Sequence, residues 1–183
     1  MYSIEIWRGG EKLAGAQGEG EAALLYRGAY EAGDEIRFTS GSERAVVQVD
    51  QQVKPARVHL PQKAFTYRPP LAGDGLAVYP PEAFAGGMHL VSIKPDVSNE
   101  YRNLAENPAD QRGGVAAYPH ATANVETRNE SGFAARNVID GEHIACGHGE
   151  WPFGSWGIGA RTDAKLTLDF GREVEIDALT LYL

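Results

Sequence analysis

Segment 141–157 gathers two Trp, one Phe, two His, two acids and five Gly into seventeen residues. An exposed indole offers a flat apolar face to sugar C–H groups, while imidazole and carboxylate groups bond to hydroxyls. A shallow saccharide site needs that mixture, and its candidate ligand groups are His143, His148, Glu150, Trp151 and Trp156, with Arg161 just beyond. A second chemistry competes on the same loop. His143-x-x-Cys146-x-His148 brings three zinc-type donors close together, but the spacing matches no usual structural zinc site and lacks a fourth ligand. Catalytic patterns are poor: there is no Gly-x-Ser-x-Gly elbow, no His-Glu-x-x-His and no phosphate loop. Cys146 beside either histidine imitates a thiol nucleophile and its base, yet a lone cysteine is more often inert packing. Asp140 and Glu150 would serve glycoside hydrolysis only at a suitable separation and with suitable pKa values. The expectation is a protein that binds without catalysing.

These side chains need a scaffold, and composition narrows its kind. The 183 residues carry 17 Lys and Arg against 25 Asp and Glu, a net charge of −8, so no general attraction to phosphate backbones or anionic lipid is expected. No apolar run approaches the roughly 18 residues that span a bilayer. Neither nucleic acid nor membrane is an expected partner. The single cysteine excludes an internal disulfide framework, and the first residues lack the basic start and apolar stretch of a secretory signal, so the expected address is cytoplasmic. Gly and Pro, 22 and 10 residues, exceed one position in six, which suits short strands joined by turns.

The chain pattern agrees with an all-β fold. Tyr2, Ile4 and Ile6 alternate with Ser3, Glu5 and Trp7 as in a half-buried strand, and Gly9-Gly10 supplies a hairpin turn. Further runs at 22–26, 35–39, 45–49, 57–60, 64–67, 76–79 and 88–93 are punctuated by turn residues. About nine strands before residue 95 predict a β-sandwich. Its aromatics, Trp7, Tyr26, Phe38, Phe65, Tyr67, Tyr79 and Phe84, are read as core or edge residues. Polar residues 94–100, with Pro95, read as a linker, giving two units, 1–95 and 96–183. In the second, strands are predicted at 121–127, 165–170 and 175–183, with a short helical turn over 133–138.

One ordered set stands out there: Asn103-Leu104-Ala105, Ala121-Thr122-Ala123, Asn137-x-x-Asp140-Gly141, Trp151, Leu166-Thr167-Leu168-Asp169-Phe170-Gly171 and Val174-x-Ile176. The set resembles the discoidin (coagulation factor type C) family of galactose-binding-like jelly rolls, which includes many bacterial carbohydrate-binding modules. The likeness covers about residues 101–183. It implies a sandwich whose loops at one end, 141–157 among them, hold a sugar. It also implies a structural calcium, with Asp140 at the matching Asp-Gly position and Glu142 able to add oxygen, as hard cations require. Such domains continue for several strands past the one ending at Leu183, so the second unit is expected to be partial or completed from elsewhere. The alternative is an interaction module of a larger, carbohydrate-active protein, pairing through exposed sheet edges, with homodimerisation or strand exchange through the apolar C-terminal edge.

Overall fold

The computed structural model describes residues 1–144, 147 and 149–182. Its strands are β1 (Tyr2–Arg8), β2 (Glu11–Gly18), β3 (Ala22–Tyr26), β4 (Glu35–Thr39), β5 (Arg44–Gln48), β6 (Ala56–His59), β7 (Ala64–Tyr67), β8 (His89–Pro95), β9 (His120–Ala123) and β10 (Leu166–Asp169). The fold is all-β, with three antiparallel sheets ordered β2-β1-β4-β7, β3-β8-β5-β6 and β10-β9. Gly9 and Gly10 both take positive φ, 55° and 91°, the backbone that a tight hairpin requires at its two central residues. Alternation then sets the faces. Ile4, Ile6, Ile36 and Phe38 from one four-stranded sheet and Ala45, Val47, Val58, Val91 and Ile93 from the other are buried in one core. Phe38 and Phe65 stack across β4 and β7 with centroids 4.7 Å apart, and full burial of such a side chain contributes about 1.5–3 kcal/mol.

The second half packs on this body. Ala109 and Ala117 enter the same core, and His59 at the end of β6 exchanges two backbone hydrogen bonds with Tyr118, just before β9. The Asp74 carboxylate accepts both the N–H and the hydroxyl of Ser131. The β9–β10 pair has its own small core of Ala121, Ala135 and Ile139, against which Leu166 and Leu168 pack. The turn expected over 133–138 forms as 3₁₀ turns at Ser131–Phe133 and Ala135–Val138.

Three sequence expectations are corrected. Eight strands rather than nine precede residue 96. Segment 76–79 is a turn, not a strand, because Leu76, Ala77 and Tyr79 each donate three residues back, to Gly73, Asp74 and Leu76, between Gly73 and the Pro80-Pro81 pair. Of the strand expected over 175–183, residues 175–182 have no strand partner among the described residues, Leu183 lying outside them, and Ile176, Leu179, Leu181 and Tyr182 are 64–75% exposed. Alternation alone does not make a strand; a neighbour must accept its backbone hydrogen bonds.

Candidate functional site

The site forms around Arg136, which the chain carries in an otherwise apolar run, Phe133-Ala134-Ala135-Arg136. The guanidinium is 3% exposed. It donates from Nε to the Asp110 carbonyl (2.9 Å) and from its terminal nitrogens to the carbonyls of Pro108 (3.0 Å) and Val78 (3.3 Å). It also lies over the Tyr79 ring at 4.9 Å. One cation thereby ties two distant backbone segments, 78 and 108–110, together. Burial alone would weaken its charge, but Tyr79, Asp140, Tyr67 and Asp110 around it hold the group more firmly protonated than an ordinary arginine.

Asp140 stands 4.0 Å from that guanidinium. Gly141 after it takes φ 82°, and Glu142 N–H donates to Asp140 Oδ1 at 2.9 Å, the turn expected from Asp-Gly. Burial pushes the Asp140 carboxyl above its usual range, with Arg136 only partly opposing this. Glu142 is bridged at 2.8 Å by Lys54 from the β5–β6 loop, which also donates to the Gly141 carbonyl. Above these groups, Gln52, Tyr79, Pro80 and the half-buried Trp151 complete the walls of a hollow of about 70 Å³. The backbone N–H of Trp151 donates to the Ala77 carbonyl at 2.7 Å. The hollow exceeds a water's share of liquid volume, about 30 Å³, yet is too small to engulf a sugar ring. A ring would lie against it.

Of the sequence candidates, Trp151, Asp140 and Glu142 meet here. Trp156 does not: it is half-buried and its indole N–H donates to the Val125 carbonyl at 2.8 Å. Arg161 is exposed and forks onto Asp163 with two 2.6 Å bonds. Glu150 is exposed outside the hollow's lining. His143 stacks on Tyr182, centroids 4.2 Å apart, in a neighbouring groove. His148 and Cys146 lie outside the described residues. Asp140 and Glu142 do not form a calcium cage as arranged. Arg136 and Lys54 already face them with positive charge, whereas calcium takes six to eight oxygen ligands. Among the described residues, no three His, Cys, Asp or Glu converge as metal ligands.

Lys54, Gln52 and Arg136 are not among the sequence candidates, and Tyr79 is read there only as a core or edge aromatic, which its burial matches. For Arg136 a signal existed, a lone cation among small apolar residues. For the others there was none, since the hollow joins loops about 80 residues apart. Two histidines are used elsewhere in the fold. His89 Nδ1 is 3.0 Å from Asp50 Oδ2, both fully buried. His120 Nδ1 is 2.6 Å from Asp110 Oδ1, whose other oxygen accepts the Ala121 N–H. Among the described residues, no helix is long and apolar enough to cross a membrane.

Comparison with protein-family models, curated proteins and solved structures finds no match to the chain.

Proposed function

We propose that the protein binds carbohydrate without catalysing its conversion, with the sugar resting on Trp151 at the hollow between the two halves. The observation that carries this reading is the half-buried indole beside Gln52, Lys54 and Glu142. One flat apolar face stands next to amide, ammonium and carboxylate groups, the pairing that sugar C–H and O–H groups require. The β9–β10 pair is read as part of a discoidin-like sandwich whose Asp140-Gly141 turn and Trp151 keep their order. The hollow is shallow and removes little apolar area from water, so affinity is modest. The experiment is a glycan array on the intact chain followed by titration of Trp151→Ala. Loss of the stacking face weakens binding by about tenfold or more. Unchanged affinity in a folded variant refutes the reading.

A second reading has its own observation. Ile176, Leu179, Leu181 and Tyr182 are exposed on a segment that has no strand partner among the described residues, which fits an interaction module that pairs with a second copy through this edge. Light scattering that finds a strict monomer at high concentration contradicts it.

A further inference from the structure

The walls of the Trp151 hollow divide by chemistry. Val53, Val78, Pro80 and Pro108 supply apolar surface, while Lys54 and Arg136 stand against Asp140 and Glu142. Positive and negative charges balance, so the hollow favours an uncharged guest. Both cations are already committed. Arg136 donates to the carbonyls of Asp110, Val78 and Pro108 and to Asn137 Oδ1 at 3.4 Å, which leaves little of a guanidinium's five donors free. Lys54 is held between Glu142 Oε1 at 2.8 Å and the Gly141 carbonyl at 3.2 Å.

One oxygen is left over. Asp140 Oδ1 accepts the Glu142 N–H, whereas Oδ2 accepts no hydrogen bond from the described residues, and Arg136 stays 4.0 Å away. The Asp140 side chain is only 9% exposed. A buried acceptor in that position is incomplete until a donor reaches it. An ammonium group would bring a third positive charge against two carboxylates, and an acidic group would face Asp140 itself. A hydroxyl donates without adding charge. Volume sets the size of the group that carries it. The hollow of about 70 Å³ is roughly twice a water's share of the liquid, room for one carbon and one oxygen but not for a sugar ring or an acetamide. A hexose carries such a group on its ring, the exocyclic hydroxymethyl. Its methylene matches the valine and proline walls, and its hydroxyl matches the open oxygen.

We propose that the hollow is a subsite for the exocyclic hydroxymethyl of a neutral hexose, whose hydroxyl donates to Asp140 Oδ2 while the ring rests on Trp151. Burial holds the Asp140 carboxyl above its usual range, and a hydroxyl donating to it stabilises the charged form. This inference rests on the carbohydrate reading and adds the class of sugar: a neutral hexose with a free primary hydroxyl, rather than a pentose or a sugar acid.

The test titrates the intact chain with the methyl glycosides of glucose and galactose and with their deoxy counterparts, in which the hydroxymethyl is a methyl group, following the Trp151 indole resonance. Each parent sugar binds about tenfold tighter than its deoxy counterpart, as expected for a hydrogen bond to a charged acceptor. Asp140→Asn keeps the acceptor for the Glu142 N–H and replaces the open oxygen by an amide nitrogen. It reduces the preference severalfold and leaves the deoxy sugars bound as before, a pattern that general loss of structure would not give. Equal binding of parent and deoxy sugars, still dependent on Trp151, overturns this inference and leaves the carbohydrate reading standing. An Asp140→Asn variant that weakens both sugars alike also overturns it. Absence of a saturable Trp151 shift with every glycoside overturns both.

Discussion

Replacing Arg136 by Met keeps the aliphatic stem and removes the charge that joins segment 78 to segment 108–110. The three hydrogen bonds to carbonyls, 2.9–3.3 Å long, are charge-assisted and individually contribute at least about 1.5 kcal/mol. Together they come to about 4–5 kcal/mol. Water entering through the adjacent hollow would satisfy some orphaned carbonyls, leaving a net loss of about 3 kcal/mol, in the range found when a buried cation is removed from its partners. At a urea dependence of about 2 kcal/mol per molar, the unfolding midpoint falls by about 1.5 M. Urea titrations followed by near-ultraviolet circular dichroism measure this. A loss under about 1 kcal/mol would show that the guanidinium does not organise the junction, and the argument that it shapes the hollow would fall with it.

The His120–Asp110 contact gives a pH signature. Its hydrogen bond to Asp110 raises the His120 pKa above the ordinary value, burial partly opposing and the charges of Asp110 and Asp169 assisting. The added stability is therefore fully present below the unfolded pKa of about 6.5 and lost as pH rises through the folded value. In thermal melts, wild type exceeds His120→Gln by a margin that shrinks with rising pH; a constant margin would refute the linkage. Asp140, raised chiefly by burial, works against stability at neutral pH, since its charged form is disfavoured in the fold. Asp140→Asn keeps the acceptor for Glu142 N–H, so urea titration at pH 7 should find stability equal or higher, with the gain vanishing toward pH 4. A clear loss at pH 7 would show that the Arg136 attraction outweighs burial.

Much of the first half was legible because its signal is local. Tyr2, Ile4 and Ile6 alternate, Gly9-Gly10 turns the chain, and runs 22–26, 35–39 and 64–67 coincide with β3, β4 and β7. Leu76-Ala77-Val78-Tyr79 misled because four apolar residues between turn formers carry no period that separates a strand from a turn. Segment 175–182 misled for another reason: its alternation is strand-like, but pairing depends on a neighbour that its own sequence does not encode. The candidate site was half legible. Trp151 and the Asp140-Gly141 turn were visible as residue types, whereas Lys54, Tyr79 and Arg136 acquire their roles only when distant loops meet. Trp156 had the right chemistry, but its indole N–H is already taken by Val125.

Three tryptophans make the central claim directly observable, because each indole N–H gives its own nitrogen-correlated resonance. When a saccharide selected by array is titrated into the labelled protein, the Trp151 signal moves in a saturable manner while those of Trp7, covered by Arg37, and Trp156 stay in place. A Trp151 signal that stays fixed as sugar is added, or movement confined to the other two indoles, would contradict the account.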